Sequence, residues 1–113
     1  MKKIEAVIRS EKVGAVREAL VKVGYSGLMI TQIEGHGKQK GKIQEWRGKE
    51  YKVELIPKTK IDIVVKDSDL DLITRTIVDA AKTGEIGDGK IFVSDINNVI
   101  RIRTGEEGDA ALI

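Results

Sequence analysis

Two amphipathic helical stripes with the same apolar spacing, each between alternating or β-branched runs, predict an α+β fold made of two βαβ units. The opening run, Lys2 to Arg9, alternates: Ile4, Ala6 and Ile8 take one face, Glu5, Val7 and Arg9 the other, as in a half-buried strand. From Lys12 to Val23 the apolar residues Val13, Val16, Leu20 and Val23 form a helical stripe that Gly24 ends. Gly27 to Glu34 alternates again through Leu28, Ile30 and Ile33 and predicts a second strand. Ile61 to Val65 is β-branched at four of five positions and predicts a third. Asp69 to Lys82 repeats the helical stripe at Leu70, Ile73, Ile77 and Ala80 or Ala81, with Ser68 as N-cap and Gly84 as stop. Lys90 to Ser94 and Val99 to Arg103 predict two closing strands.

This order fits a ferredoxin-like βαβ-βαβ sandwich, with both helices on one face of an antiparallel sheet, an extra C-terminal strand and a long protruding loop. A doubly wound parallel sheet would need more strands and shorter breaks. The helix-free sheet face would carry Val7, Val64 and Val99 among Arg9, Asp62, Lys66, Arg101 and Arg103. That mixture reads either as an oligomer interface with a ligand between subunits or as a solvated face with stray valines.

Composition narrows the function classes. The chain has 113 residues, one domain's worth, 41% hydrophobic and 34% charged, which predicts a soluble globular protein. Twenty Lys+Arg against 18 Asp+Glu leave a net charge of +2, too balanced for nucleic-acid binding through bulk charge. The absence of Cys excludes disulfides, thiolate metal sites and thiol nucleophiles, and one His cannot build a histidine metal site. The charged start MKKIEAVIRSEK and the lack of a long apolar run predict an intracellular chain with neither signal peptide nor membrane span.

Three stretches could carry chemistry. Gly35 to Lys52 holds four glycines and six Lys/Arg and predicts a long loop; Trp46 and Tyr51, two of the four aromatics, sit in it as contact residues. The other reading is a basic hairpin with an incidental Trp. Thr83 to Lys90, TGEIGDGK, satisfies G-x-x-x-x-G-K, but Ile91 stands where a P-loop needs Ser or Thr, and the loop runs from helix to strand. What remains is Gly87-Asp88-Gly89-Lys90, a turn able to aim backbone N–H groups at an anion, with Lys90 adding charge, or a plain turn. Arg101 and Arg103, two apart on a predicted strand, point the same way, with Ile100 and Ile102 facing the helices. Beside the glycine turn they suggest a polyphosphate clamp; alone they read as a solvated edge. No acid–base constellation accompanies them, which points to a sensor.

With these residues in view, the sequence resembles the nitrogen-regulatory PII signalling proteins from end to end. The resemblance is carried by MKKIEAVIR, GHGKQKG, WRGKEY, LIPKTKI, TGEIGDGKIFV and VIRIRTGEEGDAALI. It implies a single domain over 1–113, with a protruding loop over about 37–55, a nucleotide-phosphate loop over about 82–90 and a C-terminal segment 104–113. It further implies a non-enzymatic homotrimer that binds ATP or ADP between subunits, senses 2-oxoglutarate and regulates nitrogen assimilation through the loop. Placed on this chain, Val7, Met29 and Val64 would form the adenine pocket, and Gly37, Lys38 and Gln39 would meet the nucleotide. Gly87, Asp88, Gly89 and Lys90 would hold its phosphates, with Arg101, Ile102 and Arg103 reaching across from a neighbouring subunit. Gln39 would be a ligand of Mg²⁺, and 2-oxoglutarate would complete the metal shell, with Lys58 on its far carboxylate and Lys40 and Gly41 nearby. Trp46, Arg47 and Tyr51 would contact partners, an ammonium transporter of the Amt family foremost, glutamine synthetase or other nitrogen enzymes besides. The location implied is the cytoplasm, with recruitment to the membrane by the transporter.

This chain departs from the family pattern in places. Lys38 replaces a common arginine, Met29 a small hydroxyl residue and Trp46 a smaller aromatic or polar one. Lys49 stands where some relatives phosphorylate a serine, while Tyr51 matches a tyrosine that some bacterial members carry nucleotidylated. Two readings from other classes compete. A small ferredoxin-like nucleic-acid-binding domain would need paired exposed strand aromatics, which are missing, and a nucleotide hydrolase would need a residue that positions water.

Overall fold

The computed structural model describes residues 1–46 and 49–112, with side chains described outside 35–56. Its elements are β1 (Lys2–Arg9), α1 (Val13–Lys22), β2 (Met29–Trp46), β3 (Lys49–Val65), α2 (Leu70–Ala81) and β4 (Gly89–Asp95), joined in part by single 3₁₀ turns. The sheet order is β2-β3-β1-β4 and every neighbouring pair is antiparallel. In each half the strands before and after the helix are therefore parallel and split by a third strand, the ferredoxin-like arrangement expected.

The alternation of β1 is what buries it. Ile4, Ala6 and Ile8 meet Ile61, Ile63 and Val65 of β3 beneath Val16 and Leu20 of α1 and Ile73, Ile77 and Ala81 of α2. Ile4, Leu20, Ile61, Ile63, Ile73 and Ile77 are at most 2% exposed, and each such side chain contributes about 1.5–3 kcal/mol of transfer free energy. Gly24 stops α1 as expected: at φ +96° it donates its N–H to the Val21 carbonyl at 3.0 Å.

The ends of α2 differ from expectation. Ser68 falls inside a 3₁₀ turn, Asp67–Asp69, and the cap position is Asp69, which makes no side-chain capping bond. The Asp69 carboxylate accepts instead from the Tyr25 hydroxyl. The helix stops at Ala81 because Lys82 turns extended, ahead of the expected Gly84.

Two further expectations are corrected. Gly35 to Lys52 is not a structureless loop: β2 and β3 continue pairing as a hairpin from Gly35↔Ile56 out to Trp46↔Lys49. The molecule's long axis of 59 Å reflects this extension. Along Gly35 to Lys38 the sequence GHGK carries no apolar residue, although its backbone is laddered. Nor is Val99–Arg103 a strand of the sheet. It folds back on the C-terminal segment through one bridge, Ile100↔Glu107, with Arg101 N–H bonded to the Glu106 carbonyl at 2.8 Å. Ile100 is 59% exposed and Ile102 fully exposed, so neither faces the helices, and Val99 lies outside the sheet face where it was expected. The Val-Ile-Arg alternation is real, but within one chain it buries nothing.

The register defines the helix-free face in rows. One row runs Phe92, Glu5, Asp62, Met29; the next Lys90, Val7, Lys60, Thr31; then Arg9 stands opposite Lys58 and Ile33. Val7 and Val64 are half-buried there, as expected of two of the three valines.

Candidate functional site

The end of β1 organises the site. Val7 pairs with Lys90 and Ile8 with Gly89 on one side, and Arg9 pairs with Lys58 on the other. Gly89 has φ +101°, and a Cβ there would lie 1.7 Å from the Val7 carbonyl oxygen. Only glycine lets β4 begin this close to β1.

From that start the Thr83–Asp88 turn doubles back around one carboxylate. Asp88 accepts the Thr83 and Gly84 N–H groups at 2.9 Å each, the Thr83 hydroxyl, and the Arg9 Nε–H at 3.1 Å. These donors, the Thr83 hydroxyl foremost, hold the Asp88 carboxyl far below its usual range, so it is an anion at any physiological pH. Arg9 also donates from Nη2 to the Ile86 carbonyl at 2.8 Å. Asp88 thus spends its charge inside the turn, which leaves the Gly87-Gly89-Lys90 side free of carboxylate repulsion. Gly87, like Gly89, has positive φ, at +102°.

Lys58 is the second feature. It is only 7% exposed, and its ammonium donates to the Gly87 carbonyl. Burial lowers its pKa, and the neighbouring Arg9 guanidinium adds to the effect. On its other flank Lys58 lines a cleft of about 430 Å³ with Ser10, Gln32, Ile33, Glu34 and Pro57, at the root of the hairpin. A smaller, mainly apolar cavity of about 250 Å³ lies behind the turn against Ile77, Val78 and Ile91.

The predicted residues sort clearly. Gly87, Asp88, Gly89, Lys90, Lys58 and Val7 come together at one end of the sheet. Met29 does not join them. It sits 61% exposed on β2, the opposite edge strand from β4, three strand spacings or roughly 14 Å away across the sheet. Val64 lies off the row of Lys90, opposite Lys3. Arg101 and Arg103 do not present a parallel pair: they lie in the C-terminal fold-back, where Arg101 bonds Glu106 at 2.7 Å and the Ala110 carbonyl at 3.1 Å, while Arg103 is exposed. For Gly37, Lys38, Gln39, Lys40, Gly41, Trp46 and Tyr51 only the backbone belongs to the described residues, and Arg47 lies outside them. That backbone is informative. β2 takes five steps, from Lys38 to Ile43, while β3 takes one, from Val53 to Lys52. Gln39, Lys40 and Gly41 all fall within this slip, out of the paired register.

Arg9 and Thr83 escaped the sequence reading as site residues. Thr83 had a weak local signal, a hydroxyl five residues before an Asp in a glycine-rich turn. Arg9 had none, since its partner stands 79 residues away. Among the described residues, no three His, Cys, Asp or Glu form a metal cluster, and no helix is long and apolar enough to cross a membrane.

The chain is similar to known proteins. The family model for nitrogen regulatory protein P-II matches residues 1–106. Nitrogen regulatory protein P-II 1 of Escherichia coli is 54% identical over 112 residues, 99% of this chain and 100% of that protein. Nitrogen regulatory protein P-II 2 of Methanothermobacter thermautotrophicus is 50% identical over 112 residues, 99% of this chain and 97% of that one. A solved structure, Arabidopsis thaliana PII bound to citrate, matches with a TM-score of 0.79 at 38% identity, covering 97% of this chain and 90% of that one. The chain belongs to the nitrogen regulatory protein P-II family.

Proposed function

We propose that this chain is a non-enzymatic sensor of nitrogen and energy status that binds ATP or ADP and 2-oxoglutarate and signals through the β2–β3 hairpin. One observation carries the reading: buried Lys58 touches both the glycine turn, through the Gly87 carbonyl, and the cleft at the hairpin root. A cation so placed couples a polyphosphate on the turn to a carboxylate in the cleft. The citrate of the Arabidopsis relative supports a small polycarboxylate as ligand of this fold.

The phosphates are assigned to Gly87, Gly89 and Lys90, with Asp88 shaping the turn. Gln39 would hold Mg²⁺, a hard cation suited to its amide oxygen and to phosphate oxygens, and the ion would supply charge neutralisation. The backbone slip at Gln39–Gly41 supports a ligand there, because residues outside the ladder are free to turn toward one. Met29 and Lys90 lie on opposite edges of the sheet, which favours a base pocket and a phosphate turn contributed by different subunits. A closed ring of three chains, β4 edge toward the neighbour's β2 edge, would unite them. Ile86, Phe92, Met29 and Ile102, exposed by 54% to 100%, support burial by such neighbours. Arg101 and Arg103 would then serve the adjoining site.

Arg47, with Trp46 and Tyr51, is assigned to partner contact. The partner class is an ammonium transporter or a nitrogen-assimilation enzyme, met in the cytoplasm or at the membrane it inhabits. The test is calorimetric titration with ATP, Mg²⁺ and 2-oxoglutarate, singly and combined, alongside sedimentation. A trimer that takes 2-oxoglutarate only with MgATP is expected. A monomer that binds ATP normally, or tight 2-oxoglutarate binding without nucleotide, would overturn the scheme. Recovery of the transporter with ADP, with MgATP and with MgATP plus 2-oxoglutarate then tests the signal; equal recovery in all three refutes it.

A further inference from the structure

We propose that Arg9 is the positioning residue of the Thr83–Lys90 turn: it holds Asp88 and the Ile86 carbonyl so that the turn stays shaped for phosphate. The inference rests on the nucleotide reading above and adds to it a residue outside the predicted ligand set. Arg9 is the last residue of β1, the strand held on both sides by β3 and β4. Its guanidinium leaves that rigid base and makes two bonds of different kind, Nε–H to the Asp88 carboxylate and Nη2–H to the Ile86 carbonyl. The planar fork makes both at once; a lysine ammonium on its flexible stem is less suited to that pair.

The turn needs such an anchor. Glu85 and Ile86 are exposed, and Ile86 at 76% gains no packing. Two sheet side chains, Arg9 and Lys58, bond the turn among the described residues. Lys58 is also assigned to a carboxylate ligand, so Arg9 is the anchor whose bonds do not depend on effector. Its second task is electrostatic. A carboxylate beside bound phosphates would repel them, and the Arg9 guanidinium supplies the countercharge that the backbone and Thr83 donors lack. Loss of Arg9 therefore weakens ATP more than ADP, since the penalty grows with ligand charge.

The experiment compares wild type, Arg9→Gln and Arg9→Lys by amide hydrogen exchange and by ATP and ADP titration. In Arg9→Gln, exchange at the Thr83 and Gly84 amides rises about tenfold and ATP affinity falls about tenfold or more, the scale of one lost charged hydrogen bond. Core amides of Ile61 and Ile63 keep their protection, the ATP loss exceeds the ADP loss, and Arg9→Lys, which keeps the charge, falls between. Unchanged exchange at Thr83 and Gly84 overturns the proposal, as does an ATP affinity that survives faster exchange. An equal loss for ATP and ADP also overturns it, because that is what general loosening would give. If wild type itself binds no nucleotide, the underlying reading fails and this inference fails with it. That result cannot be confused with a wild type that binds and a variant that binds equally well.

Discussion

Replacing Lys58 by Met should leave the fold about as stable as before while removing carboxylate binding. The side chain is 7% exposed, so its ammonium has given up most of its water and recovers one bond, to the Gly87 carbonyl. Met keeps the length and volume of the stem, and volume-conserving swaps cost under about 1.5 kcal/mol. Exchanging a buried charge for an apolar group is often neutral or stabilising, because the desolvation cost disappears with the charge. The two effects oppose each other, and the expected net change is within about 1 kcal/mol of zero. The pH dependence separates this account from simple packing. Burial, then Arg9, lowers the Lys58 pKa from its ordinary 10.5. Between the lowered value and 10.5 the unfolded chain holds this proton and the folded one does not, so stability from this group rises with pH across that window. Below the window the full cost of the buried charge is present. Urea unfolding at pH ~7 and ~10 should show that rise in wild type and a smaller one in Lys58→Met. 2-oxoglutarate affinity should fall by about 2 kcal/mol or more, roughly thirtyfold, with ATP largely spared. A variant destabilised by more than about 3 kcal/mol at neutral pH would refute the reasoning, since it would make Lys58 a structural keystone.

Gly89→Ala should cost about 3 kcal/mol or more in urea unfolding, from positive φ and a Cβ driven against the Val7 carbonyl; a loss below about 1 kcal/mol would show that β1 and β4 separate easily. Asp88, held far below its ordinary 3.8, lends stability that is complete above that value and lost as pH falls below it. Asp88→Ala should therefore flatten the acid limb of the unfolding profile, and an unchanged limb would deny its inward bonds. Glu106→Gln breaks an exposed ion pair with Arg101, so stability should change by less than about 1 kcal/mol while ATP affinity rises, because the guanidinium no longer has to leave a carboxylate. Unaltered or weaker ATP binding in calorimetry would separate Arg101 from the phosphates.

The parts of the fold that bury a face were legible in the sequence. Ile4, Ala6 and Ile8 alternate because one side of β1 meets the helices, and Val16, Leu20, Ile73 and Ile77 recur at helical spacing for the same reason. The hairpin beyond Gly35 stood only as the second reading, because its first arm, Gly35 to Lys42, holds glycine and polar residues without apolar alternation. Val99–Arg103 misled for the converse reason: its alternation has an apolar side, but no surface of the same chain receives it. In the site, the glycine turn announced itself, yet with an incomplete reason. Gly89 is required by the approach of β4 to Val7, whatever the ligand. Asp88 was read beside phosphates, while its carboxylate is turned into its own loop. Arg9 stayed hidden because a partner 79 residues distant leaves no local trace.

These placements divide the site into a fixed half and an adaptable half. Val7, Ile8 and Arg9 are consecutive: Val7 sets the approach of Gly89, Ile8 is 2% exposed in the core and pairs with Gly89, and Arg9 bonds Asp88 and Ile86. The phosphate turn therefore takes its shape from the strand at the centre of the core and its neighbour, to which Arg9 and Lys58 tie it. The hairpin root is built otherwise. It leaves the core at Thr59 and Lys58, loses register at Lys38–Ile43, and continues as a two-stranded ribbon, which is marginally stable by itself. A sensor needs this inequality. A ligand shifts a conformational balance only by the difference in its affinity for the two states, and a rigid turn offers no second state. The signal must then arise at the root, where Lys58 is the side chain that bonds the fixed turn and lines the cleft beneath the ribbon. On the proposed function, nucleotide occupancy would reach the hairpin through that buried cation and through a ligand at Gln39 to Gly41, which is why Lys58→Met should uncouple the two while leaving each half folded.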